Sequence, residues 1–205
     1  MLADAAILLA GNLTDSVDKN GSASLIVSGG SSPLPIFDAL SSMDLPWANI
    51  TISLVDDRLV DDADPASNVQ LLKTHLLTGK AAQATFISLK DMDDDASQMR
   101  RPFDVMLLGM GTDGHFASLF PDMPDPEIAF ATDGVRKLIT TPPRGNPLVE
   151  RISMNLAMIL DSQNLYLMVA GTEKQTVFER AQTDINLPIY HLLKQQRTKL
   201  HILKG

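Results

Sequence analysis

The 205-residue sequence contains no cysteine, one tryptophan and two tyrosines. Without cysteine there is no disulfide framework, no thiolate metal site and no cysteine nucleophile. A reducing, cytoplasmic setting is expected, and the Asn12-Leu13-Thr14 glycosylation pattern, which matters only in secreted chains, has little force there. No apolar run approaches the roughly 18 residues that a membrane-spanning helix needs, and the first residues lack a basic segment leading into an apolar stretch. Positive charge is also scarce: 17 Lys and Arg oppose 25 Asp and Glu, a formal net charge of −8. Such a surface disfavours nucleic acid and anionic membranes, which bind through positive charge. Small molecules are the expected partners of a monomer or homodimer. An anionic ligand would need a local gathering of cations or helix N-termini to overcome the field of the whole chain.

Two catalytic motifs are missing as well. There is no HExxH pair for zinc and no GxSxG turn for a serine nucleophile. His75 and His191 fall in amphipathic segments and His201 in the last apolar run, where structural roles suffice. Neither a metal nor a cofactor is expected. The ten methionines read as core filler.

What is present is an alternation of short aliphatic runs with longer amphipathic stretches. Strands are predicted at residues 24–27, 50–55, 85–89, 105–108, 164–170 and 199–203. Helices are predicted at 2–17, from about Pro33 with Ser31 or Ser32 as N-cap, and at 67–77, 172–182 and 187–195. The acidic run from Asp91 to Asp95 reads as a solvated loop or helix start. No repeat or linker interrupts the pattern, so residues 1–205 are read as one α/β domain. Its sheet is expected to be mainly parallel, doubly wound and Rossmann-like, with helices on both faces.

Ligands of such sheets bind beyond the carboxyl ends of the strands. Four polar clusters fall there: Ser28-Gly29-Gly30-Ser31-Ser32-Pro33, Asp56-Asp57-Arg58, the glycine turn from Gly109 to His115, and Gly171-Thr172-Glu173-Lys174. The first offers hydroxyls and backbone N–H groups just ahead of a helix, suited to a phosphate. The second offers a guanidinium able to clamp an anion through two parallel hydrogen bonds. In the third, Gly109, Gly111 and Gly114 match a dinucleotide GxGxxG, with Asp133 downstream, yet Pro121 cuts off the helix that this fingerprint requires. Asp113 two positions before His115 better suits a base presented in a cleft.

Together the clusters resemble the 6-phosphogluconolactonase family, which shares its fold with glucosamine-6-phosphate deaminases and ribose-5-phosphate isomerases. The resemblance covers nearly the whole chain. It rests on the SGGSSP turn, on Val55-Asp56-Asp57-Arg58 with Ser67-Asn68, on residues 108–121 (LGMGTDGHFASLFP) and on Arg151-Ile152-Ser153. Related deaminases carry the same DGH turn but continue with AFNEP, and have DEY where Arg58 ends the DDR here. Asp57 stands where the family has glutamate, and Ser32 and Phe116 where it has threonine. Arg144 lies nearest the place of a family lysine. The family's strand ahead of the segment that starts here at Leu2 is missing, so the sheet is expected to be one strand short.

The resemblance implies hydrolysis of a phosphosugar lactone, 6-phospho-D-glucono-1,5-lactone, without a metal. His115 would be the general base and Asp113 its orienting partner, with N–H groups of the turn from Gly109 to Gly114 facing the oxyanion. Gly29, Gly30, Ser31, Ser32, Asp56, Arg58, Gly111, Arg144 and Lys174 would bind the substrate and its phosphate. The alternatives are an amino-sugar-phosphate deaminase or isomerase, and a non-catalytic phosphosugar-binding protein.

Overall fold

A computed structural model describes residues 2–205. In chain order, helix α1 (Leu2–Asn20) leads into β1 (Ala23–Val27), α2 (Leu34–Ser42), β2 (Ile50–Leu54), β3 (Asp56–Arg58), α3 (Asn68–His75), β4 (Thr85–Phe86) and β5 (Phe103–Leu108). Then follow α4 (Pro126–Phe130), β6 (Leu138–Arg144), β7 (Val149–Met154), α5 (Leu156–Ile159), β8 (Ser162–Val169), α6 (Thr172–Arg180), α7 (Ile189–Lys194) and β9 (Leu200–Lys204).

Six strands form a wholly parallel sheet in the order β4-β2-β1-β5-β8-β9. Every residue of β1 and β5 is buried, as expected for strands covered on both faces. Their one carboxylate, Asp104, is satisfied inside the sheet by the N–H of Ser24 at 2.9 Å and its hydroxyl at 3.1 Å. Helix α2 buries Ile36, Phe37 and Leu40 in this core. Truncating a fully buried ring such as Phe37 typically costs about 3–5 kcal/mol.

The strand order has a functional consequence. From β1 the chain runs outward to β2 and β4, then returns to the other side of β1 to place β5. The loops leaving β1 and β5 diverge at this reversal and open a crevice between them.

A second sheet of three antiparallel strands, β3-β7-β6, stands beside the crevice. Residues 56–58, placed by sequence just beyond a predicted strand, form a strand of this second sheet: Asp56 pairs with Ser153 and Arg58 with Arg151. Pro142 and Pro143 disguise β6, because proline cannot donate to a ladder, and the register shifts between Thr141 and Arg144. Two other expectations change. The strand predicted at 85–89 ends at Phe86, and residues 89–91 form a single 3-10 turn. Neither Ser31 nor Ser32 caps α2; Pro33 occupies that place with no side-chain hydrogen bond. Ser67, by contrast, caps α3 by accepting from the N–H of Val69 at 3.1 Å. The acidic run lies in an exposed loop.

Candidate active site

The loop after β5 is held by its own backbone. The N–H of Gly111 donates to the carbonyl of His115 at 2.8 Å, and that of Gly114 to the carbonyl of Gly111 at 3.1 Å. These two N–H groups are thus engaged within the turn rather than free for an oxyanion. The close return brings the imidazole over Gly111, where an added Cβ would stand 2.3 Å from the ring. Only glycine fits.

Asp113 accepts from the backbone N–H of His115 at 3.2 Å and faces its Nδ1 at 2.5 Å. Burial pushes the Asp113 carboxyl up, but the hydrogen bonds and charge of His115 together outweigh it and hold the group below its ordinary value. An ionised carboxylate only accepts, so Nδ1 is the ring nitrogen that donates to Asp113. The His115 side chain is 30% exposed, enough to meet a ligand. Its ring rests on Phe120, centroid to centroid 4.6 Å.

Cations face it from the small sheet and from α6. His115 lines a cleft of about 230 Å³ together with residues 28–33, Asp56, Arg58, Gly111, Arg151 and Lys174. Arg58 Nη1 donates to Asn68 Oδ1 at 2.7 Å and to the carbonyl of Ala66 at 2.9 Å, while its buried Nε has no partner. Asn68 Nδ2 donates in turn to the carbonyl of Asp56 at 2.9 Å. Its amide passes so near Gly29 that a Cβ there would lie 2.0 Å from Oδ1. Lys174, in the first turn of α6, donates to Ser32 Oγ at 2.9 Å, and burial lowers its pKa. The buried hydroxyl of Ser28, also in the lining, has no hydrogen-bond partner.

Thus Gly29, Gly30, Ser31, Ser32, Asp56, Arg58, Gly111, His115 and Lys174 meet in one cleft, with Asp113 against the imidazole. Arg144 does not. Its Nε donates to Asp122 Oδ1 at 3.1 Å, away from the cleft. The second arginine of the lining is Arg151, whose guanidinium lies 5.4 Å over the Phe120 ring. Burial and the neighbouring charge of Arg58 lower its pKa, and the carboxylates of Asp56 and Asp57 oppose that shift. The Arg151-Ile152-Ser153 segment carried this signal, since alternation along a strand aims residue 151 to one face. Asn68, Ser28 and Phe120 fall in segments that carry the family resemblance, but only their contacts show them to be site residues. Among the described residues, no three His, Asp or Glu side chains gather as metal ligands, and no helix is long and apolar enough to cross a membrane.

The family model described as glucosamine-6-phosphate isomerases/6-phosphogluconolactonase matches residues 1–202. The chain belongs to this family. Within the glucosamine-6-phosphate isomerase/6-phosphogluconolactonase family, it is 37% identical to the 6-phosphogluconolactonase of Caulobacter vibrioides, over 97% of this chain and 90% of the relative. It is 36% identical to that of Neisseria meningitidis, over 98% and 91%. The crystal structure of a 6-phosphogluconolactonase from Shewanella baltica superposes with a TM-score of 0.88 at 34% identity, covering 99% of this chain and 92% of that one.

Proposed function

We propose that this protein hydrolyses 6-phospho-D-glucono-1,5-lactone to 6-phospho-D-gluconate, the second step of the pentose phosphate route, with His115 as general base. The observation that carries the reading is one imidazole, oriented through Nδ1, sharing a cleft with Arg58, Arg151 and Lys174. A sugar lactone bearing a phosphate has the two features this cleft suits: an anionic tail and an activated ester at the other end. Family membership and the two curated relatives support the same substrate.

The phosphate is held by Arg58, whose Nε is unpartnered, by the charge of Arg151, and by Lys174 with the turn at residues 29–32. This remote binding energy positions the reacting carbon. Nε2 of His115 takes a proton from a water as its oxygen attacks C1. When the tetrahedral intermediate collapses, the bond from C1 to the ring oxygen breaks, and Nε2 returns the proton to that oxygen. Asp113 stabilises the imidazolium between the two transfers. The Ser28 hydroxyl, in the lining and without a hydrogen-bond partner, is a further donor beside the substrate.

The test is a coupled assay on freshly generated lactone with spontaneous opening subtracted. His115→Ala is expected to lower kcat by about 10²- to 10⁴-fold, the usual share of one positioned base, and to leave 6-phosphogluconate binding within about threefold. Near-normal turnover in that variant refutes the assignment.

A further inference from the structure

His115 and the arginines belong to different sheets. The imidazole rides on the loop after β5 of the parallel sheet, whereas Arg58 and Arg151 sit on β3 and β7 of the small antiparallel one. The small sheet is joined to the parallel one through Val55, which donates to the carbonyl of Val27 and accepts from the N–H of Met154, both at 2.9 Å. The loop that carries the base makes its own buried contact with that sheet.

That contact is at Ser118. Its hydroxyl donates to Asp56 Oδ2 at 2.6 Å and its N–H donates to Ser153 Oγ at 3.2 Å. Asp56 and Ser153 are cross-strand partners in β3 and β7, so one serine grips both strands beside the arginines. Ser153 Oγ is itself anchored by donating to the carbonyl of Met154 at 3.0 Å. Ser118 and Ser153 are fully buried, so no water competes. Ala117, between the grip and the base, lines the cleft with φ of 49°, a left-handed conformation that alanine adopts only at a cost of about 1–3 kcal/mol. Such a turn persists when its surroundings hold it.

We infer that Ser118 is a positioning residue of this site, tying the His115 turn to the cation-bearing sheet without touching the substrate. Its hydroxyl also bears on the charge of Asp56. Burial raises the Asp56 pKa, and the Ser118 hydrogen bond, Arg58, Arg151 and His115 all oppose the rise. Removing the hydroxyl lets that carboxyl hold its proton to higher pH, and the arginines lose a counter-charge.

The inference rests on the lactonase reading, and the parent protein is the control: if it leaves the lactone background unchanged, that reading fails before Ser118 is judged. With an active parent, Ser118→Ala is expected to lower kcat about 10- to 100-fold, the scale of a 1 Å misplacement. KM for the lactone should change by less than about threefold, because Arg58 and Arg151 keep their places on β3 and β7, a split that general loss of packing does not produce. Ser118→Thr, which keeps the hydroxyl, should recover most of the loss. Parental kcat in Ser118→Ala, or equal loss in Ser118→Thr, overturns the inference. If Ser118→Ala does not fold, Ser153→Ala decides, since it removes the acceptor of the Ser118 N–H: a smaller fall in kcat supports the tie and an unchanged kcat overturns it.

Discussion

Nε of Arg151 donates at 3.0 Å to the main-chain carbonyl of Arg144, seven residues back on the β6 to β7 hairpin. The two arginines are thus neighbours through one side chain and one backbone, yet they serve different places. Arg151 lines the cleft above Phe120, and Arg144 reaches out to Asp122.

Their substitutions should therefore separate. Losing a hydrogen bond to a charged group costs about 1.5–3 kcal/mol, or roughly 10- to 100-fold. Arg58→Ala and Arg151→Ala are expected to raise KM by about that factor with a smaller change in kcat. Arg144→Ala, which gives up a half-exposed ion pair, should leave KM within about twofold. Steady-state kinetics on the three variants checks this, and a KM increase in Arg144→Ala equal to the others contradicts the placement.

Gly111→Ala tests the approach of the imidazole to the turn. A methyl group there would stand 2.3 Å from two ring atoms and 2.6 Å from Asp113 Oδ1, so the ring or the turn must shift. kcat should fall by about 10²-fold, as misplaced reacting groups do, while 6-phosphogluconate still binds to the cations across the cleft. Parental kcat in a folded Gly111→Ala protein contradicts the geometry.

Asp56 links stability to pH. Its carboxyl is raised from the model-compound value of 3.8, chiefly by burial. The unfolded chain loses this proton first on going up in pH, so the folded state binds more protons in between, and stability present below the unfolded value is lost as pH rises through the folded one. Asp56→Asn has no proton to lose. The melting temperature of the variant relative to the parent should therefore increase from about pH 4 to about pH 8, read by thermal unfolding in matched ionic strength. A difference that is constant, or that shrinks with pH, contradicts a buried, raised carboxyl.

Local sequence determined much of this. Aliphatic runs at residues 24–27 and 105–108 had to be covered strands, because a continuous apolar stretch of that length is stable only when both faces are buried. The glycine turn with Asp113 and His115 was legible too, because the two groups are sequence neighbours and the spacing alone brings carboxylate to imidazole. Arg58 followed from the end of an apolar run, and Lys174 from the start of a helix after another.

Long-range placement was decided by tertiary structure alone. Sequence reading put Arg144 forward as an anion clamp and gave Arg151 no such role; the pairing of β6 with β7, with its irregularity between Thr141 and Arg144, turned the first outward to Asp122 and the second inward. Nothing near Ser118 in the chain foretold Asp56, which lies 62 residues away, or Ser153, 35 residues away. Composition and periodicity report how a segment buries its own surface. Which buried hydroxyl meets which buried carboxylate depends on how two sheets abut, and that is settled only when the whole core closes.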